Sequence, residues 1–224
     1  MSLTTQPWVT LADDASIALG PLDGRYRADV APLVDHLSEA ALNRARLHVE
    51  VEWLIHLTVT QAIPGAPSLS DAEIDYLRGV VASFGTDEIA ELAAIEAETR
   101  HDVKAVEYFL KRRLASAADT LGEGTSLPAA SELVHIFCTS EDINNLAYAV
   151  TIRSAVHEVW LPAAHGVADA VAEIARAQAA TPMLARTHGQ PATPVTLGKE
   201  LAVVTHRLRR QLARIASDET LGQI

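Results

Sequence analysis

The string Arg186-Thr187-His188-Gly189-Gln190-Pro191-Ala192-Thr193-Pro194 sets one imidazole among small and rigid residues, between two long helical patterns. Gly189 allows a ligand to come close to the backbone. Pro191 and Pro194 stiffen the segment and prevent it from extending the preceding helix. An imidazole flanked by a hydroxyl and a carboxamide suits proton transfer near neutral pH. A histidine that only fills a core needs no such neighbours. A lone Thr-His pair would read as a plain inter-helix turn, but the full string is far more specific.

Three further segments carry groups that bind anions. In Asp23-Gly24-Arg25-Tyr26 the glycine gives a tight turn and Arg25 offers a fork of donors for a phosphate or carboxylate. The structural alternative is a surface turn with an exposed arginine. In Thr99-Arg100-His101-Asp102, at a helix start, cationic side chains sit where backbone N–H groups already point outward. Asp102 either caps that helix or orients His101, and a capped helix with surface charges is the plain alternative. In Cys138-Thr139-Ser140-Glu141-Asp142-Ile143-Asn144-Asn145, Thr139 and Ser140 bring hydroxyls and free amides to the mouth of a long helix, a setting that holds carboxylates. Ser140 can serve there as an N-cap at the same time.

Other groupings point less far. His48, Glu52 and His56 share one helix face at metal-ligand spacing, but no further ligand cluster completes a site, and a solvated polar stripe is the better reading. Cys138 follows His135 at a spacing that suggests a thiol–base pair, yet nothing marks an activated thiolate, and a small buried cysteine fits as well. The P-loop, the dinucleotide fingerprint and the nucleophile elbow are absent.

Helices must position these groups. Apolar residues recur at helical spacing from about 31 to 62, with Pro32 in the first turn and Pro64-Gly65 as the stop. Ser70-Asp71-Ala72-Glu73 is a capping box that opens a helix to about 83, and Thr86 is the expected cap of the next. A fourth helix runs from 101 to 117. Gly122-Glu123-Gly124-Thr125-Ser126 reads as a linker closed by Pro128, so a division into domains 1–127 and 128–224 is expected. A short helix over 129–138 follows, then a long one from 141 to about 180 that Pro162 and Gly166 should kink or interrupt. Thr193-Pro194 opens the last helix, to about 217. No alternating strand pattern is visible. The expected fold is all-α: an N-terminal helical domain, then the first long helices of a bundle. Two such helices cannot cover each other's apolar faces alone and need further helices, from more chain or from other subunits.

Composition narrows the function. Of 224 residues, 49% are hydrophobic and 21% charged, an ordinary globular balance. A net charge of -11 argues against nucleic acid as a partner and leaves anion binding to a few local cations. The single cysteine excludes an internal disulfide. No basic and apolar leader opens the chain, and no run approaches the ~20 apolar residues of a membrane span. A soluble, cytoplasmic protein is the expectation.

Taken in order, Pro21-Leu22-Asp23-Gly24-Arg25-Tyr26, Thr99-Arg100-His101-Asp102-Val103-Lys104-Ala105-Val106-Glu107-Tyr108, Thr139-Ser140-Glu141-Asp142-Ile143-Asn144-Asn145 and the 186–194 string resemble the adenylosuccinate lyases of the fumarase/aspartase superfamily. The resemblance implies β-elimination of fumarate from adenylosuccinate, giving AMP, and from the succinylocarboxamide ribotide of purine biosynthesis. It implies that His188 is the general acid and that Arg25 and Tyr26 hold the nucleotide. It further implies that Arg100, His101 and Asp102 line the substrate pocket, and that Thr139 and Ser140 bind the succinyl carboxylates. No metal or organic cofactor is implied, and the working form would be a homotetramer. The family's later serine loop, of the form Ser-Ser-x-Met-Pro-x-Lys-x-Asn-Pro, does not occur among these residues. The chain is therefore expected to be the N-terminal portion of such an enzyme. The alternatives are another lyase of the superfamily acting on a different succinyl substrate, or a non-catalytic helical assembly partner.

Overall fold

Side-chain N-caps at Ser38, Ser70, His101 and Thr196 set where four of the helices begin. The structure is a computed structural model that describes residues 18–20 and 22–217; Pro21 of the first motif, the residues read for a leader and the final Leu221-Gly222-Gln223-Ile224 lie outside the described residues. The elements are α1 (Arg27–Val30), a 3-10 turn (Ala31–Leu33), α2 (Val34–Leu37), α3 (Glu39–Val59), α4 (Asp71–Ala82), α5 (Thr86–Thr99), α6 (Asp102–Ala115) and α7 (Ala118–Leu121). A 3-10 segment (Leu127–Leu133), α8 (Ser140–Ser154), a π-helical stretch (Ala155–Trp160), α9 (Leu161–Ala177), strands β1 (Pro182–Thr187) and β2 (Gln190–Thr196), and α10 (Leu197–Ala216) complete the chain.

The helix expected from 31 to 62 is broken at Ser38. This residue is extended, and its hydroxyl accepts the Ala41 N–H at 3.1 Å, so a new helix starts there. The capping box at Ser70 and Glu73 forms as expected. Gly85, not Thr86, caps α5, and the Glu88 carboxylate accepts the Gly85 N–H at 3.0 Å. Near Pro162 the helix widens into a π stretch instead of ending. A proline ring collides with the carbonyl four residues back, and a wider turn relieves that collision. Gly166 is accommodated inside α9.

The described residues form two compact units that part between Ile152 and Arg153. In the first, α3, α4, α5, α6 and the 3-10 segment surround a core that includes Leu47, Leu54, Leu77, Phe84, Phe109 and Leu127. Phe84 and Phe109 meet edge to face at 5.8 Å. The linker-like segment is pinned into this unit. One oxygen of Glu73 accepts from the Thr125 and Ser126 hydroxyls at 2.8 and 2.9 Å and from the Ser126 N–H, while the other oxygen accepts from Ser70. Leu127, Ala130 and Val134 then enter the same core.

In the second unit α9 and α10 pack through Leu161, Ala168 and Leu212. Two helices bury only the stripe they share, and Val167, Ile174, Val204 and Leu208 remain exposed. The fold is all-α apart from one antiparallel hairpin of β1 and β2, which the sequence pattern did not announce. This hairpin occupies the place expected for a loop and for the start of the last helix. That helix begins only at Leu197, with the Thr196 hydroxyl accepting the Lys199 N–H. Among the described residues no helix is long and apolar enough to cross a membrane.

Two outcomes follow from this packing. Burial alone would raise the Glu73 carboxyl, but its amide and hydroxyl donors overcome that and hold it at about 2. Because this value lies below the ordinary 4.5, the stabilisation is complete above pH ~4.5 and is lost as pH falls towards about 2. Glu73→Gln should therefore cost on the order of 2 kcal/mol at pH 7, and the difference from wild type should shrink in acid; a pH-independent difference in urea titrations would contradict this. At Gly198, an added Cβ would collide with the Ala175 carbonyl oxygen and lie 2.6 Å from the Ala179 Cα. Gly198→Ala should destabilise the second unit by about 1–3 kcal/mol, read as faster amide exchange in α9 and α10, with α3 and α6 unchanged.

Candidate functional site

Asp23 organises the first motif. Its carboxylate accepts the Leu19 N–H at 2.6 Å and the Gly20 N–H at 2.5 Å, and it pairs with Arg27 at 2.7 Å. Desolvation works to raise this carboxyl, yet the amides and Arg27 hold it below its ordinary value. The carboxylate is thus committed to closing the turn. Arg25 and Tyr26 are left exposed, with the guanidinium 5.7 Å from the Tyr26 ring centre.

The second motif sits where α5 ends and α6 begins. Arg100 closes α5 in the left-handed region (φ 56°) and is exposed, with no side-chain partner among the described residues. His101, not Asp102, is the N-cap of α6, and its Nδ1 accepts the Lys104 N–H at 3.2 Å. That bond requires a bare Nδ1, so the ring proton sits on Nε2. Asp102 Oδ1 lies 3.6 Å from Nδ1, too far for a hydrogen bond. Asp102 turns instead to Arg46 at 2.6 Å. Desolvation pushes its carboxyl up, and the Val103 amide and Arg46 together bring it below the ordinary value.

Arg46 lies on α3, only 5% exposed, and the sequence reading passed over it. Its Nε donates to Asn144 Oδ1 at 2.9 Å and its Nη1 to Asn43 at 2.8 Å, in addition to the Asp102 contact. One buried guanidinium therefore joins the second motif to the third. The available signal was an arginine inside the run Ala40-Ala41-Leu42-Asn43-Arg44-Ala45-Arg46-Leu47, where a solvated charge has little room.

In the third motif Ser140 is the first helical residue of α8, not its cap. Thr139 precedes it, and the Asp142 carboxylate reaches back to accept the Thr139 N–H at 2.8 Å. The Thr139 and Ser140 hydroxyls make no hydrogen bond among the described residues, and Thr139 is exposed. The approach to them is strained. In place of the short helix expected over 129–138, the 3-10 segment gives way to a turn with His135 and Phe137 at φ 65° each. Such left-handed non-glycine residues cost roughly 1 kcal/mol or more apiece.

The suggested pairing of His135 with Cys138 does not form. His135 Nδ1 lies 2.6 Å from Glu50, and burial together with Glu50 and Asp142 pushes the Cys138 thiol up to about 11, a poor nucleophile. The His48, Glu52, His56 face is likewise committed elsewhere. Glu52 holds Arg78 through two bonds of 2.8 and 3.0 Å, and His56 stacks on Trp53. Among the described residues no cluster of metal-binding side chains occurs.

His188 belongs to the second unit, at the tip of the hairpin. Thr187 pairs with Gln190, so His188 and Gly189 alone make the turn, with φ 50° and 75°. Positive φ at both positions is the two-residue turn whose twist matches a hairpin, and this is why Gly189 is needed. The ring is exposed and not packed among aliphatic side chains. Pro191 and Pro194 lie in β2, where a two-stranded ribbon leaves room for residues without an N–H.

The sequence profile of the family described as "Lyase" matches residues 24–221. The chain is 44% identical over 207 residues to the adenylosuccinate lyase of Escherichia coli K12, covering 92% of this chain and 44% of that protein. The adenylosuccinate lyase of Haemophilus influenzae gives the same identity and coverage, and that of Vibrio cholerae is 40% identical over 94% of this chain and 44% of its own. The chain thus spans less than half the length of these relatives. The crystal structure of a fumarate lyase from Mesorhizobium sp. BNC1 superposes with a TM-score of 0.61 at 22% identity, over 83% of this chain and 39% of that one, and so supports the fold. The chain belongs to the lyase family.

Arg46 generates a test of this architecture. Arg46→Met leaves Asp102 and Asn144 without their shared donor and should lower the unfolding free energy by on the order of 2 kcal/mol. Asp102→Asn should cost less, since its remaining side-chain oxygen can still accept from Arg46 and the bonds to Asn43 and Asn144 persist. Equal effects in denaturant titrations would show that Arg46 is not the hub.

Proposed function

We propose that the protein splits adenylosuccinate into AMP and fumarate by β-elimination, as a carbon–nitrogen lyase of purine biosynthesis, and that it acts likewise on the succinylocarboxamide ribotide. The observation that carries this reading is the arrangement of unspent donors at all four motifs. Arg25, Arg100, the Thr139 and Ser140 hydroxyls and His188 are exposed or free of partners among the described residues, while Asp23 and Asp102 hold turns and helices in place. The relatives at 37–44% identity named adenylosuccinate lyase support it.

In the reaction a proton leaves the succinyl Cβ, the C–N bond breaks, and the departing purine nitrogen takes a proton. His188 supplies that proton, which its exposed place at a short rigid turn allows. Charge builds on the neighbouring carboxylate as the carbon-bound proton leaves. The Thr139 and Ser140 hydroxyls and the first amides of α8 are the donors for it. Arg25 takes the phosphate and Tyr26 the nucleoside beside it. Arg100 and the Nε2–H of His101 face the rest of the substrate, with Asp102 fixing the start of α6. The base is not one of these eight residues. This reading includes a homotetramer, a cytoplasmic setting, and a domain 1–127 that binds substrate ahead of a bundle domain beginning at 128.

The test follows fumarate release from adenylosuccinate by the protein expressed from its natural reading frame, with argininosuccinate and malate as competing substrates. His188→Ala should lower kcat by about 10²-fold or more, and Arg25→Ala should mainly raise KM. Near-normal turnover without His188 would remove it from its role, and preference for another substrate would redirect the assignment within the family.

A further inference from the structure

One face of α3 grips the chain on both sides of Thr139 and Ser140, at three points in all. Arg46, Glu50 and Trp53 recur at helical spacing, so they lie along a single edge of the helix. Arg46 holds Asn144 beyond the hydroxyl pair, while Glu50 and Trp53 hold His135 and Ile136 before it. The middle contact is the unusual one. Glu50 is fully buried, its Oε1 lies 2.6 Å from His135 Nδ1, and its Oε2 has no hydrogen-bond partner among the described residues. Burial pushes the Glu50 carboxyl up while the contact with His135 opposes that, and the pair shares one hydrogen bond between Oε1 and Nδ1. His135 Nε2 lies 3.6 Å from Glu107, whose other oxygen takes Lys104 at 2.6 Å. Trp53 Nε1 donates to the Ile136 carbonyl at 2.8 Å, between the two left-handed residues. Phe137 is thrown outward and is 76% exposed. A turn this strained persists only where its surroundings over-determine it, and strain of that kind gathers where a binding group must be presented in one geometry.

We propose that Glu50, His135 and Trp53 are positioning residues: through them α3 holds the 135–137 turn in its left-handed form and so fixes where the Thr139 and Ser140 hydroxyls meet a substrate carboxylate. This rests on the reading of that pair as the carboxylate site. None of the three residues needs to touch substrate. Removing any tether frees the turn to relax, and the hydroxyls then meet the ligand from a broader set of positions, at a cost in binding.

The protein from its natural reading frame tests this with four variants. Trp53→Phe keeps the ring packing and deletes one donor. His135→Gly tolerates the left-handed backbone but loses the tether. Glu50→Ala loses the acceptor, and Glu50→Gln keeps one. Amide exchange over 136–141 should quicken by about 10-fold in the first three, with α4 and α5 unchanged, and KM for adenylosuccinate should rise roughly 5-fold with kcat within about 3-fold. Glu50→Gln should stay nearer to wild type than Glu50→Ala on both readouts. Unchanged exchange in folded Trp53→Phe and His135→Gly would overturn the tether. Quickened exchange with an unmoved KM would overturn the positioning role. A wild type that neither binds nor turns over adenylosuccinate would instead remove the assignment of the site, and the positioning role with it.

Discussion

A guanidinium taken out of water has to find acceptors for its donors, and Arg46 finds them on three helices. Its partners stand on α3 itself, on α6 and on α8. Desolvating such a cation costs far more than any one of these bonds returns, so the three helices are held to one mutual arrangement in which all the bonds form together. Apolar packing between α3 and α6 is less selective, since Leu and Val surfaces tolerate small slides. The bonds of Arg46 do not. The start of α6 and the first turns of α8 are thereby placed against the same helix, and those two helix mouths carry the residues proposed to bind anions.

Around this hub the polar side chains divide their work. Carboxylates close turns and cap helices: Asp23 at the first motif, Glu73 at the linker, Asp142 at the mouth of α8. Arg25, Arg100 and the Thr139 and Ser140 hydroxyls, proposed to meet an anionic substrate, make no hydrogen bond or ion pair among the described residues. Binding to them breaks no bond in the protein, which lowers the free-energy cost of engaging a ligand. Asp23 and Asp102 are paired with arginines, and Asp142 accepts a backbone amide, so these three carboxylates are engaged inside the protein.

Much of the helical frame was legible. Ser70 and Glu73 announced α4 through reciprocal capping, and the segments around His101 and Thr139 lie at helix starts, as their residue types implied. Three features were hidden, each for a physical reason. The hairpin carries three prolines, and its turn is His-Gly where Asn-Gly or Asp-Gly would have been the recognisable signal. The break at Ser38 lies inside an uninterrupted apolar rhythm, and only the hydroxyl's bond to Ala41 reveals it. Arg46, Glu50 and Trp53 each stand one position before the apolar stripe of Leu47, Val51 and Leu54, so a narrow stripe leaves them at its margin. α3 is in fact buried around more than that stripe, and ionisable groups at the margin of a wide buried face become structural.

The prolines of the β-ribbon have a protective effect as well. A ribbon of only two strands shows an unsatisfied edge on either side, an invitation for a neighbouring molecule to extend it by backbone pairing. Pro182, Pro191 and Pro194 remove N–H groups along this ribbon. The edges of the ribbon that carries the imidazole are thus poor seeds for cross-β growth, and a residue type that stiffens the ribbon also guards it against aggregation.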